Sequence, residues 1–86
     1  METRVALIGI IVENSESTAQ LNALLHDAGQ YIIGRMGLPY REKGVSIISV
    51  VLDAPQDVIS ALAGKIGNLP GISVKTAYSN LTGEKK

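Results

Sequence analysis

Two nine-residue runs, Val5-Ala-Leu-Ile-Gly-Ile-Ile-Val-Glu13 and Val45-Ser-Ile-Ile-Ser-Val-Val-Leu-Asp53, constrain the fold of this chain more than anything else in it. Both are rich in β-branched residues, apolar at odd and even positions alike, and closed by an acid. A strand that is apolar on both parities is one whose two faces are both covered. The second run lies forty residues after the first, so two halves of the chain repeat one pattern.

What lies between and after the runs fills in the rest. Ser17 followed by Gln20 fits a capping box, and Leu21, Leu24, Leu25 and Ala28 then recur at helical spacing before Gly29. Tyr31 to about Met36 reads as a second strand interrupted by Gly34, followed by a loop holding Gly37, Pro39 and Arg41-Glu42-Lys43-Gly44. Pro55 opens a second helix whose stripe is Val58, Leu62, Ile66 and Leu69, with Gly67-Asn68 as its stop. From Ile72 to Tyr78 the alternation of Ile72, Val74, Thr76 and Tyr78 with Ser73, Lys75 and Ala77 describes a half-exposed fourth strand.

The order strand, helix, strand, strand, helix, strand is that of an α+β, ferredoxin-like βαββαβ sandwich: a four-stranded antiparallel sheet with two helices on one face. With 86 residues there is room for one core, expected over residues 1–81, and residues 82–86 are expected to form a polar tail. Only three residues are aromatic, all tyrosines, so that core is built from Ile, Val, Leu and Ala.

In this layout the two apolar runs are the central strands. Ile8, Ile10, Val12, Ile48, Val50 and Leu52 are assigned to the helix side. That leaves Val5, Leu7, Ile11, Val45, Ile47 and Val51 on the other side, around the small residues Gly9 and Ser49. A large apolar face of this kind marks an interface. The expectation is a homo-oligomer, a dimer or a tetramer built from dimers.

Composition excludes several function classes. Eight basic and eight acidic residues leave no net charge, which argues against direct nucleic-acid binding. The lack of cysteine removes thiol catalysis, iron–sulfur ligation and thiolate zinc sites. The run from Val5 to Val12 is too short to span a bilayer and nothing resembles an export signal, so a cytoplasmic location is expected and the Asn80-Leu81-Thr82 sequon is idle.

No catalytic apparatus emerges. Gly64-Lys65 resembles part of a phosphate loop, but Ile59 and Ile66 occupy the positions where that motif needs a glycine and a Ser or Thr. Gly64 costs a helix about 1 kcal/mol against alanine, which points to close packing on a neighbouring backbone or a ligand. His26 is the only histidine, so a metal site would have to be shared between subunits, and no cofactor is expected. Glu13 and Asp53 are read as turn and cap residues rather than an acid–base pair.

For a small ligand, two segments offer themselves at a subunit boundary. One is the turn before the first helix, with Asn14, Ser15 and Ser17. The other is the loop carrying Arg35, Gly37 and Arg41, whose cations could clasp an anion.

The strings Leu24-Leu25-His26, Arg35-Met36-Gly37-Leu38-Pro39-Tyr40-Arg41-Glu42, Ala61-Leu62-Ala63-Gly64-Lys65-Ile66-Gly67 and Val74-Lys75-Thr76 resemble those of the iron-only hydrogenase system regulator family, over nearly the whole chain. The resemblance implies an ACT-like ferredoxin fold, similar to the regulatory domain of the nickel-responsive repressor, and a role in regulating the hydrogenase or its maturation. That repressor's metal site is histidine-rich and contains cysteine, so nickel sensing does not carry over to a chain with His26 alone. Its DNA-binding module has no counterpart here either. Regulation would act through a partner regulator protein or a small-molecule effector. A bare oligomeric scaffold and a small ferredoxin-like enzyme are the competing readings.

Overall fold

A computed structural model describes residues 2–80. The expected polar tail, and the Leu81-Thr82 part of the sequon, lie outside the described residues. The elements are β1 (Arg4–Val12), α1 (Thr18–Asp27), β2 (Ile32–Tyr40), β3 (Val45–Ala54), α2 (Gln56–Gly67) and β4 (Ile72–Tyr78). The strands form one sheet in the order β2-β3-β1-β4, every neighbouring pair antiparallel. The two apolar runs are therefore the central strands, as the ferredoxin-like layout requires.

The core lies between the sheet and the two helices. Ala6, Ile8, Ile10 and Val12 of β1 and Val50, Leu52 and Ala54 of β3 are buried with Leu21 and Leu25 of α1 and Ile59, Leu62 and Ile66 of α2. Alternate positions of each central strand point inward, and the helices cover that side only. Each such Ile or Leu gains roughly 1.5–3 kcal/mol on burial, which accounts for a stable core without a single Phe or Trp. On β4, Ile72, Val74 and Tyr78 pack against the same core. Arg4 ties the open end of β1 to that strand, with its guanidinium 4.8 Å from the Tyr78 ring centre and donating to the Ser79 carbonyl at 2.7 Å.

Several local expectations need correction. Ser17 does not close a capping box: its hydroxyl is fully buried and donates to the Pro70 carbonyl at 2.7 Å. The turn before α1 is instead organised by Asn14, whose Oδ1 accepts the Glu16 N–H at 2.9 Å ahead of a short 3-10 turn over Ser15–Ser17. The chain turns here against the segment leading into β4, and the Ser17 hydroxyl goes to the part-buried hydrogen bond with Pro70 rather than to the helix end.

The second correction concerns β2, which was expected to stop near Met36. It runs on through Gly37, Leu38 and Pro39 to Tyr40, leaving only a tight turn over residues 41–44 with Gly44 at φ +66°. Proline is admitted because β2 is an edge strand, where one missing N–H need not break the ladder. The interruption assigned to Gly34 is a bulge between Ile32 and Gly34 that leaves Ile33 unpaired and exposed.

The third concerns Gly64. A Cβ built on it meets nothing within 4 Å, so no neighbour among the described residues requires a glycine there. Gly71 is the opposite case. Its φ is +72° and a Cβ on it would lie 2.4 Å from the Asn14 Cβ. With the Glu13 N–H donating to the Gly71 carbonyl at 2.7 Å, the end of β1 and the start of β4 are locked together.

Candidate interaction face and loop sites

The face of the sheet turned away from the helices is defined by register, because directly paired residues share a face. Reading from edge to edge, Leu38, Ile47, Ile11 and Ser73 form one row, Met36, Ser49, Gly9 and Lys75 the next, and Gly34, Val51, Leu7 and Ala77 the third. Tyr40 pairs with Val45 beyond the first row, and Val5 with Asp53 beyond the third. Val5, Leu7, Gly9, Ile11, Val45, Ile47, Ser49 and Val51 are thus brought together on one surface. Val5, Leu7, Ile11 and Ile47 are exposed, Leu7 to 45%.

This face is larger than the sequence suggested. A second strand that ends near Met36 leaves Leu38 and Tyr40 in a loop. They join Met36 on the open face, where Met36 is 70% exposed. The period-two repeat of Met36, Leu38 and Tyr40 carried that information, masked by the intervening Gly37 and Pro39. Lys75 and Asp53 bring the only two charges in these paired rows, and Lys75 flanks the smallest part of the surface at Gly9.

The loop candidates are arranged differently from what the sequence suggested. Arg35 and Gly37 lie within β2, paired with Val50 and Ile48, and therefore on the helix side of the sheet. Arg35 donates to the Asn22 Oδ1 of α1 at 3.4 Å. Arg41 stands at the hairpin turn, roughly 20 Å further along at ~3.3 Å per residue, so the structure does not bring the two arginines into one clasp. Tyr40 donates to the Glu42 carboxylate at 2.5 Å. That bond, with some loss of hydration, raises the Tyr40 phenol above its ordinary pKa of 10.0.

At the other candidate segment, both polar ends of Asn14 engage Glu16: Oδ1 accepts the backbone N–H and Nδ2 donates to the carboxylate at 3.2 Å. Ser17 is occupied by Pro70, which leaves only Ser15 of that trio exposed without a structural duty. His26 is exposed near the end of α1. Among the described residues no group of three or more His, Cys, Asp or Glu side chains could hold a metal ion. Nor, among them, is any helix long and apolar enough to cross a membrane.

Comparison with known proteins adds identity to this geometry. A search of curated proteins found no match. Among solved structures, the uncharacterized protein TM1266 from Thermotoga maritima is 38% identical, with a TM-score of 0.85, over 88% of this chain and 96% of that one. Two further structures share the fold alone. One is the C-terminal domain of the MgtC protein from Mycobacterium tuberculosis, at 12% identity, TM-score 0.70, and 88% and 87% coverage of the two chains. The other is the apo form of CPII, a nitrogen regulatory PII-like protein from Thiomonas intermedia K12, at 13% identity, TM-score 0.59, and 95% and 96% coverage. Residues 4–76 match the TM1266-like family, described as "Iron-only hydrogenase system regulator, putative". With that match over most of its length and a relative of this similarity, the chain belongs to the iron-only hydrogenase system regulator family.

Proposed function

We propose that this chain is a non-enzymatic regulatory module of the iron-only hydrogenase system that works as a self-associated assembly in the cytoplasm, with the open sheet face buried against a second copy. It conveys a signal by binding a small effector or a partner protein and makes no direct contact with nucleic acid. The observation that carries this reading is the exposed apolar surface of Leu7, Ile11, Ile47, Met36 and Leu38 on a sheet whose two central strands are buried by the helices on the other face.

Size supports a second copy as the cover. Four strands at ~4.8 Å spacing and a length of ~25 Å give about 480 Å² of flat area, which side-chain relief raises toward the roughly 800 Å² per partner of a standard interface. The small residues Gly9 and Ser49 at its centre let another sheet approach closely.

The test is to replace the native gene by one encoding Ile47→Asp and follow the level and activity of the iron-only hydrogenase. The variant should behave as a deletion although the purified protein remains folded. Normal regulation by a folded, monomeric variant would contradict the proposal.

A further inference from the structure

Among the described residues, the most exposed large apolar side chain also carries the only sulfur: Met36 of β2 is 70% exposed. The chain has no cysteine, and its other methionine is Met1. Met36 pairs with Ser49 and Ser49 with Gly9, which puts the sulfur side chain in the middle row of the open sheet face. Beside it lies a hollow of about 250 Å³ lined by Gly34, Ser49 and Val51.

We infer that self-association through the open face is gated by the oxidation state of Met36: its thioether seats in the contact between copies, and its sulfoxide is excluded from it. The inference rests on the self-association reading and adds a regulator of that same surface. The oxidant is a peroxide. A sulfur lone pair attacks one peroxide oxygen, the O–O bond breaks and an S–O bond forms. In hydrogen peroxide the second oxygen leaves as hydroxide and takes the proton from the first, so the sulfur is oxidised, the peroxide is reduced and water departs.

Three observations carry it. First, the sulfur is open to solvent in the single chain and lies within the surface that a second copy covers, so a peroxide reaches the free copy and not the assembled one. Oxidation therefore captures the dissociated form and draws the equilibrium toward it. Second, the surroundings suit a thioether and not a sulfoxide. A flexible thioether fills an irregular hollow well, whereas a sulfoxide is a polar acceptor that loses its water on burial. Gly34 and Val51 bring no side-chain donor and Ser49 a single hydroxyl, while the Arg35 guanidinium is on the helix side, donating to Asn22 at 3.4 Å. Each buried sulfoxide should raise the dissociation constant about tenfold, and a two-fold dimer buries two. Third, every other large apolar side chain in the three rows is Leu, Ile or Val, so a peroxide changes this face at one point only.

The experiment treats the purified protein with hydrogen peroxide, locates the added oxygen by peptide mass spectrometry and follows assembly by sedimentation, with circular dichroism to confirm the fold. Wild type should gain one oxygen at Met36 and dissociate, its dissociation constant rising about a hundredfold with the fold unchanged. Methionine sulfoxide reductases with dithiothreitol, which return the thioether, should restore the assembly. Met36→Leu keeps an apolar side chain of similar volume, so it should assemble as wild type does and ignore peroxide. That variant still holds Met1, so it also controls for oxidation there. Met36→Gln should dissociate without any oxidant.

An assembly that persists with Met36 oxidised, a Met36 that peroxide leaves unchanged, or equal dissociation of Met36→Leu under peroxide would each overturn the inference. Sedimentation before treatment separates its failure from that of the self-association reading. A wild type that is monomeric without oxidant refutes both, whereas an assembled wild type that oxidation at Met36 leaves intact refutes the gate alone.

Discussion

Replacing glycine by alanine at two positions should move stability in opposite directions. At Gly71 the backbone is left-handed, which costs a residue with a Cβ about 1–2 kcal/mol. The added methyl would also lie 2.4 Å from the Asn14 Cβ and 3.2 Å from its backbone nitrogen, so Asn14 must move. It cannot do so freely, because the Glu13 to Gly71 hydrogen bond of 2.7 Å and the Ser17 to Pro70 hydrogen bond of 2.7 Å hold both sides of the junction. Loss of either adds about 0.5–1.5 kcal/mol, and loss of both brings the total to about 2–5 kcal/mol.

At Gly64 the backbone is helical and the space around a Cβ is open, so Gly64→Ala should stabilise by roughly 0.5–1 kcal/mol. Urea unfolding at one fixed protein concentration measures both, and the concentration must be fixed because self-association adds to apparent stability. With a slope of ~1–3 kcal/mol/M, Gly71→Ala should lower the midpoint by about 1 M or more at unchanged slope, while Gly64→Ala raises it slightly. A Gly71→Ala midpoint at or above that of the wild type would refute the account of the β1–β4 junction.

Two further outcomes follow from side chains already described. Ser17→Ala should destabilise by about 1–3 kcal/mol, because it leaves the Pro70 carbonyl without its donor, and the Glu13 amide should exchange faster with solvent. The Tyr40 phenol should titrate above its ordinary range in the ultraviolet, and Glu42→Gln should lower that midpoint. The sign is fixed by the donor: only the neutral phenol can donate to Glu42, so the stability it brings is full below the ordinary tyrosine pKa and lost as pH rises through the raised one.

The parts of the fold legible in the sequence are those where one physical demand dominates. In the Val5 and Val45 runs, apolar residues at both parities leave little alternative to a central strand, so strand, centre position and inward parity could all be read from residue type. The same holds for Leu21, Leu25, Leu62 and Ile66, whose spacing tolerates little else.

What escaped was decided by competition between demands. Ser17 could cap α1 or satisfy Pro70, and only the three-dimensional approach of residues 53 positions apart settles that choice. Gly37 and Pro39 are turn formers that an edge strand accommodates, which hid Leu38 and Tyr40 from the open face. Arg35 and Arg41 are near in sequence but are held apart by the extended strand between them.

The central claim is that the open sheet face buries itself against a second copy, and sedimentation of wild type beside Ile47→Asp addresses it most directly. Ile47 is 37% exposed, so burying the remainder gains only about 1 kcal/mol per copy. A carboxylate at that position would instead bring a desolvation cost of several kcal/mol per ion, enough to raise the dissociation constant at least a hundredfold. The account predicts that micromolar wild type sediments as a dimer or a multiple of it and that folded Ile47→Asp sediments as a monomer. A wild-type protein that sediments as a monomer across that concentration range would contradict it.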